Sequence, residues 1–179
     1  MRILLSGLSG TGSTTAARKV ADDLELTYVY GGQIFRNMAR EKGIPLEDLV
    51  ESLEHNPEIE REIDQRLVEE GKNDNVLIES RTIGWIFPHE IPASRIWLRC
   101  DLEERLRRVQ DREHNPRSPE NLLRREASDN RRYMALYGIQ PEDFAPFDLV
   151  VDTTHLPVDE VVREIEDFVE GQEELRQRA

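Results

Sequence analysis

Three glycines, Gly7, Gly10 and Gly12, separate an apolar run from a helix-forming run in LLSGLSGTGSTTAARKV, Leu4 to Val20. A turn of this kind can aim successive backbone N–H groups inward as an anion nest, and the following helix adds its positive end. The spacing Gly7 to Thr14 matches the phosphate-loop pattern G-x-x-x-x-G-K-S/T except that Ser13 stands where the lysine belongs. Ser9 and Thr11 lie inside the turn. Thr14 occupies the hydroxyl position that would bind Mg²⁺, and Thr15 follows it, near an α-phosphate or as a helix cap. A charge-assisted contact is worth roughly 1.5–3 kcal/mol against ~1 for a neutral one. Serine could therefore keep ground-state phosphate binding while making charge on a transferring group harder to stabilise. The bland alternative is a tight turn whose glycines serve packing alone.

Three further stretches concentrate chemistry. In YGGQIFRNMA (Tyr30–Ala39), Gln33 and Arg36 sit in the first turns of a helix opened by two glycines. An arginine there can grip a phosphate with both guanidinium nitrogens, or can simply be a solvated helix residue. In NVLIESRTIGWIFP (Asn75–Pro88), Glu79 ends an apolar run, where a carboxylate can hold Mg²⁺ through water or orient the loop, and Arg81 follows two residues later. In LLRREASDNRRY (Leu122–Tyr133), Arg125, Asp129 and Arg132 share one helical face, with Arg124, Ser128 and Arg131 on the adjacent stripe. Arg108 and Arg112 on a preceding helix bring more positive charge toward His114–Pro119 (HNPRSP), which reads as a mobile loop. The arrangement suggests a lid closing on phosphates; surface ion pairs such as Arg125–Asp129 are the competing explanation.

The elements that must position these groups follow from periodicity. Short apolar strands are predicted at Arg2–Ser6, Leu26–Tyr30, Asn75–Glu79, Arg95–Cys100 and Asp148–Asp152. Helices are predicted at Thr14–Leu24, Gln33–Glu41, Leu46–Glu54 and Pro57–Gly71. Two more carry the apolar stripes Leu102/Leu106/Val109 and Val158/Val161/Val162/Ile165/Val169, and the tail from Gly171 reads as polar and frayed. Alternating strands and helices predict a parallel sheet covered on both faces. The 179 residues fit one domain.

The net charge of −13 argues against nucleic acid or anionic lipid as a partner, so phosphate binding would need local positive charge. Only Lys19, Lys42 and Lys72 are lysines among 24 basic residues. The single cysteine, Cys100, predicts no disulfide and no cysteine zinc site, and is expected to be buried. No apolar run approaches the ~20 residues of a membrane span, and no basic-plus-apolar leader precedes the first strand, which predicts a cytoplasmic location. His55, His89, His114 and His155 lie on polar segments and receive no role; Trp85 and Trp97 read as packing residues.

Taken together, the motifs resemble those of the P-loop nucleoside monophosphate kinases, most nearly the archaeal-type cytidylate kinases, over about Met1 to Gly171. GGQIFRNMA is similar to that family's A-G-D-I-F-R acceptor helix, and IESRTIGW to its E-G-R segment. RREASDNRRYMALYGI resembles its E-R-E-A-S-x-x-x-R-Y lid helix, and FDLVVDTT its Y-D-L-V-I-N-T-S strand. The resemblance implies a three-layer P-loop NTPase fold with about five parallel strands. Residues 1–30, 72–111 and 140–171 would form the core, 31–71 the acceptor-binding segment, 112–135 the lid and 172–179 a polar tail. It implies γ-phosphoryl transfer from ATP·Mg²⁺ to CMP or dCMP by a monomeric enzyme with nucleotides as its only partners. By position, Gly7–Thr14 would cradle the donor phosphates and Thr153 and Thr154 would lie beside its adenine. Arg36, Gln33, Arg81 and Thr82 would meet the acceptor. Arg125, Asp129 and Arg132 would hold its sugar and phosphate or, with Arg112, stabilise the transferring group; Thr14 and Glu79 would serve the metal. Three departures remove charge: Ser13 for the loop lysine, Gln33 for the acceptor-helix aspartate, and Thr82 for the aspartate that follows the segment's arginine in bacterial relatives. They leave two alternatives open, a nucleotide-binding regulator of the same fold and a kinase for another small acceptor.

Overall fold

A computed structural model describes residues 1–114 and 118–178. Its strands are β1 (Arg2–Gly7), β2 (Thr27–Tyr30), β3 (Val76–Glu79), β4 (Ser94–Arg99) and β5 (Leu149–Asp152). Its helices are α1 (Ser13–Asp23), α2 (Gly31–Lys42), α3 (Leu46–Ser52), α4 (Pro57–Gly71), α5 (Ile83–Ile86), α6 (Leu102–Glu113), α7 (Ser118–Tyr137) and α8 (Val158–Arg178). All strand pairs are parallel, in the order β2-β3-β1-β4-β5.

Side chains alternate across a strand, so a sheet covered on both faces needs two apolar sets. Ile3 and Leu5 of β1 enter one core with α1 and α8, while Leu4 enters the other with α2, α4 and α5. In β3, Leu77 belongs to the first core, and Val76 and Ile78 to the second. The register aligns Leu5 and Tyr30 with Glu79, which brings the carboxyl ends of β1, β2 and β3 level. Loops leaving those ends share one rim, the usual place for a ligand on a parallel sheet.

Three expectations need correction. The stripe Leu102/Leu106/Val109 does not pack as a unit: Leu102 is 46% exposed, whereas Arg105 is 6% exposed, because Arg105 turns under the glycine loop to meet a carboxylate. The tail does not fray at Gly171; α8 runs to Arg178, and the pairs Arg176–Glu173 and Arg178–Glu174 span one helical turn each. Cys100, one residue past β4, is only partly buried. Of the loop His114–Pro119, residues 115–117 lie outside the described residues. Trp85 and Trp97 do pack as expected, in a cluster with Phe144 and Phe147.

Candidate active site

The glycine loop is braced from behind. Gly10 has φ +86°, and a Cβ there would lie 2.8 Å from the Arg105 carbonyl oxygen, so glycine is required both by conformation and by space. Arg105 Nη1 donates to the Ser9 carbonyl at 3.1 Å and pairs with Glu126 at 2.7 Å, a buried ion pair joining loop, α6 and α7. Arg108 Nη2 donates to the Thr153 carbonyl at 2.7 Å and Nη1 to the Gly10 carbonyl at 3.4 Å. The Thr153 hydroxyl donates to the Thr11 carbonyl at 2.8 Å, and the Thr11 hydroxyl to that of Leu8 at 2.8 Å. With its carbonyls tied back in this way, the loop can present amides outward. No side chain caps α1, whose start at Gly12 and Ser13 therefore remains available to an anion.

At the lysine position, the Ser13 hydroxyl donates to Glu79 Oε1 at 2.8 Å, as does the Thr14 hydroxyl at 2.8 Å. The Tyr28 hydroxyl donates to the other carboxylate oxygen, Oε2. Burial, with the Glu79 charge beside it, pushes the Tyr28 phenol well above its ordinary pKa. Three neutral donors thus surround the carboxylate that a cation would otherwise face. Lys19 does not reach back; it pairs with Asp159 on α8. Arg18 lies 6.0 Å from the centres of both the Tyr28 and Tyr30 rings.

In front of the loop lies a cleft of about 1190 Å³, more than the ~300–1,000 Å³ of a typical small-molecule site and enough for two ligands side by side. Gly7, Ser9, Ser13 and Thr14 line it from the glycine loop, and Phe35, Leu46, Val50 and Ile63 from α2, α3 and α4. Arg36, Arg81, Arg124, Arg125 and Arg132 line it as well. Arg81 pairs with Asp129 and donates from Nη2 to the Ser9 hydroxyl at 2.8 Å, so it is a cation that touches the loop. Burial lowers its pKa from the usual guanidinium value. Arg132 donates to Glu60 at 2.7 Å, Asp129 at 2.6 Å and Ser128 at 2.6 Å. Arg36 donates to the Tyr30 hydroxyl with its guanidinium over that ring. Arg125 makes no hydrogen bond or ion pair with any other described residue, and Asp129 pairs with Arg81 and Arg132 instead of with Arg125 as the sequence suggested.

Other expected residues sit apart from the cleft wall. Gln33 and Thr15 are exposed and do not line it, nor does Arg112. Thr153 and Thr154 are buried, their hydroxyls committed to Thr11 and Asp152. The hydroxyl and backbone N–H donors of Thr154, and after them Arg99, hold Asp152 down to about 2. Thr82 lines the cleft but is 2% exposed, and its hydroxyl donates to Asp64 at 2.8 Å. Sequence reasoning missed Arg105, Glu126, Tyr28, Glu60 and Asp64. A signal for the last two existed: Glu60, Asp64 and Leu67 are spaced i, i+4, i+7, placing two acids on the buried stripe of α4.

Thr14 and Glu79 offer only oxygen donors, 2.8 Å apart, which suits Mg²⁺. Among the described residues no cluster of three acidic, histidine or cysteine side chains could hold a metal by itself, so the ion would be shared with phosphate oxygens.

A family profile described as an AAA domain matches residues 3–133. The chain is 40% identical to a cytidylate kinase of Pyrococcus horikoshii, over 85% of this chain and 79% of the relative. It is 38% identical to a cytidylate kinase of Methanocaldococcus jannaschii, over 90% and 93% respectively. Among solved structures, a gluconokinase from Sinorhizobium meliloti superposes with a TM-score of 0.66 at 15% identity, covering 99% of this chain and 97% of that one, a likeness of fold. With a phosphate-type loop, a five-stranded parallel sheet and relatives this similar along most of its length, the chain belongs to the cytidylate kinases, phosphotransferases of the P-loop nucleoside monophosphate kinase family.

Proposed function

We propose that the protein transfers the γ-phosphoryl group of ATP to CMP or dCMP, with Mg²⁺, as a cytoplasmic monomer. The observation that carries this reading is one cleft lined by the glycine loop, by apolar side chains of α2, α3 and α4 and by five arginines. Residues 31–71 would seat the acceptor and 112–135 would act as the lid.

Phosphoryl transfer needs little covalent help from a protein; positioning and electrostatics supply the acceleration. The Gly7–Thr14 amides would hold the donor phosphates. Arg36 and Arg81 would orient the acceptor phosphate, and Arg125 and Arg132 would face charge spreading over the transferring group. When bound, Mg²⁺ would neutralise charge between the phosphates, with Thr14 and Glu79 on its coordination side. Arg125 lines the same cleft as Ser13 and has no carboxylate partner among the described residues, so it is the arginine we assign to replace the charge missing at Ser13. Arg108 is already spent on loop carbonyls.

The test is a coupled ADP-release assay over a panel of nucleoside monophosphates. The reading expects turnover with CMP and dCMP above purine acceptors; binding of ATP and CMP by calorimetry without turnover would replace it with the regulator. That second reading draws on the hydroxyl contacts of Glu79, which put no cation at the lysine position.

A further inference from the structure

In the loop between β3 and α5, the hydroxyl of Thr82 stands at the position noted above as an aspartate in bacterial relatives. A carboxylate is nonetheless present at that spot, delivered from another element. Asp64, on α4, accepts the Thr82 hydroxyl at Oδ1 (2.8 Å) and the Tyr137 hydroxyl at Oδ2 (2.8 Å). It lines the cleft between Ile63 and Leu67, with Phe35 on the same apolar portion of the wall. We infer that Asp64 reads the exocyclic 4-amino group of the acceptor's cytosine and thereby sets cytosine over uracil. The inference deepens the reading of the cleft as a CMP kinase and rests on it.

The chemistry is as follows. Two hydroxyl donors, from the loop after β3 and from α7, fix the carboxylate's orientation, and each oxygen keeps accepting capacity for an incoming donor. Apolar neighbours suit the faces of a flat heteroaromatic ring. Cytosine presents an amino group at position 4, a donor to the carboxylate. Uracil presents a carbonyl oxygen there, so two acceptors would meet in a poorly hydrated wall. Sites built to pair one polar group reject the analogue lacking it far more strongly than apolar pockets reject a missing methylene.

The groups facing Asp64 set its ionisation. Glu60 lies one turn earlier on α4, and Tyr133 and Tyr137 face it from α7. Burial is the largest influence and raises Asp64 to about 6, with Glu60 adding to the rise and the two hydroxyl donors opposing it. Ionised at pH 7.5, the carboxylate accepts from cytosine; protonated at pH 5, it can donate to the uracil carbonyl. Selectivity then falls as pH drops.

The experiment compares kcat/KM for CMP and UMP in the wild type and in Asp64→Asn, with a melting curve for each. The wild-type CMP/UMP ratio is expected to fall at least about thirtyfold in Asp64→Asn, chiefly through KM, because the amide can donate to the uracil carbonyl. A folded Asp64→Asn with an unchanged ratio overturns the inference. Should the variant not fold, the wild type decides: its CMP/UMP ratio must drop several-fold between pH 7.5 and pH 5, and a constant ratio overturns the inference equally. The acceptor phosphate titrates alike in both nucleotides and cancels in the ratio. A wild type that phosphorylates no nucleoside monophosphate defeats the kinase reading itself, which is a separate outcome.

Discussion

Ser13 hydrogen-bonded to Glu79, with Arg125 in the same cleft and unpaired among the described residues, frames the question of charge at the scale of single residues. If Arg125 carries the missing charge, Arg125→Ala lowers kcat about a hundredfold, the scale of one lost electrostatic donor. Ser13→Lys changes turnover little by itself, and in the double variant the Arg125 loss shrinks; steady-state kinetics on the four proteins read this coupling directly. The buried pair Arg105–Glu126 gives a stability prediction. Glu126→Gln leaves a guanidinium buried without its charge partner, which costs about 3–5 kcal/mol, seen as a lower denaturation midpoint. Asp64 contributes with the opposite sign to an ordinary carboxylate. Its folded pKa of about 6 lies above the ordinary carboxyl value of 3.8, so protonation favours the folded state and ionisation opposes it. Stability relative to Asp64→Asn should therefore rise by about 1 kcal/mol as pH falls from 7 to 5, measurable by urea unfolding at the two pH values.

Elements were the most legible level of the sequence where apolar periodicity decided them. The spans Pro57–Gly71 and Arg2–Gly7, and the α8 stripe through Val169, follow directly from what they bury. Legibility failed where a charged residue took a buried position. Arg105 looks like a solvent-facing charge in a helical pattern, and Glu60 and Asp64, though spaced on the buried stripe of α4, give no sign of what offsets their charge; only the partners Glu126, Arg132 and Thr82, 21, 72 and 18 residues away, make such burial affordable. The end of α8 failed for another reason: its last turns are held by local helical pairs with little burial, Leu175 being 61% exposed. Truncation after Gly171 should accordingly cost under about 0.5 kcal/mol, and a thermal melt should move little. The candidate loop was readable from glycine spacing alone. The acid beside Thr82 was not, because it arrives from a helix 18 residues earlier in the chain.

At the scale of the molecule, an acidic chain of net charge −13 gathers five arginines into one cleft at the strand ends and ties two of them, Arg81 and Arg132, to carboxylates from α4 and α7. No helix among the described residues is long and apolar enough to cross a membrane. The central claim is that this cleft passes a phosphoryl group between two nucleotides. Its most direct test mixes ATP labelled in the γ-phosphate with CMP and the purified protein and separates the products. The account predicts label in CDP at a rate dependent on Mg²⁺. Label remaining in ATP, or released only as inorganic phosphate, would contradict it.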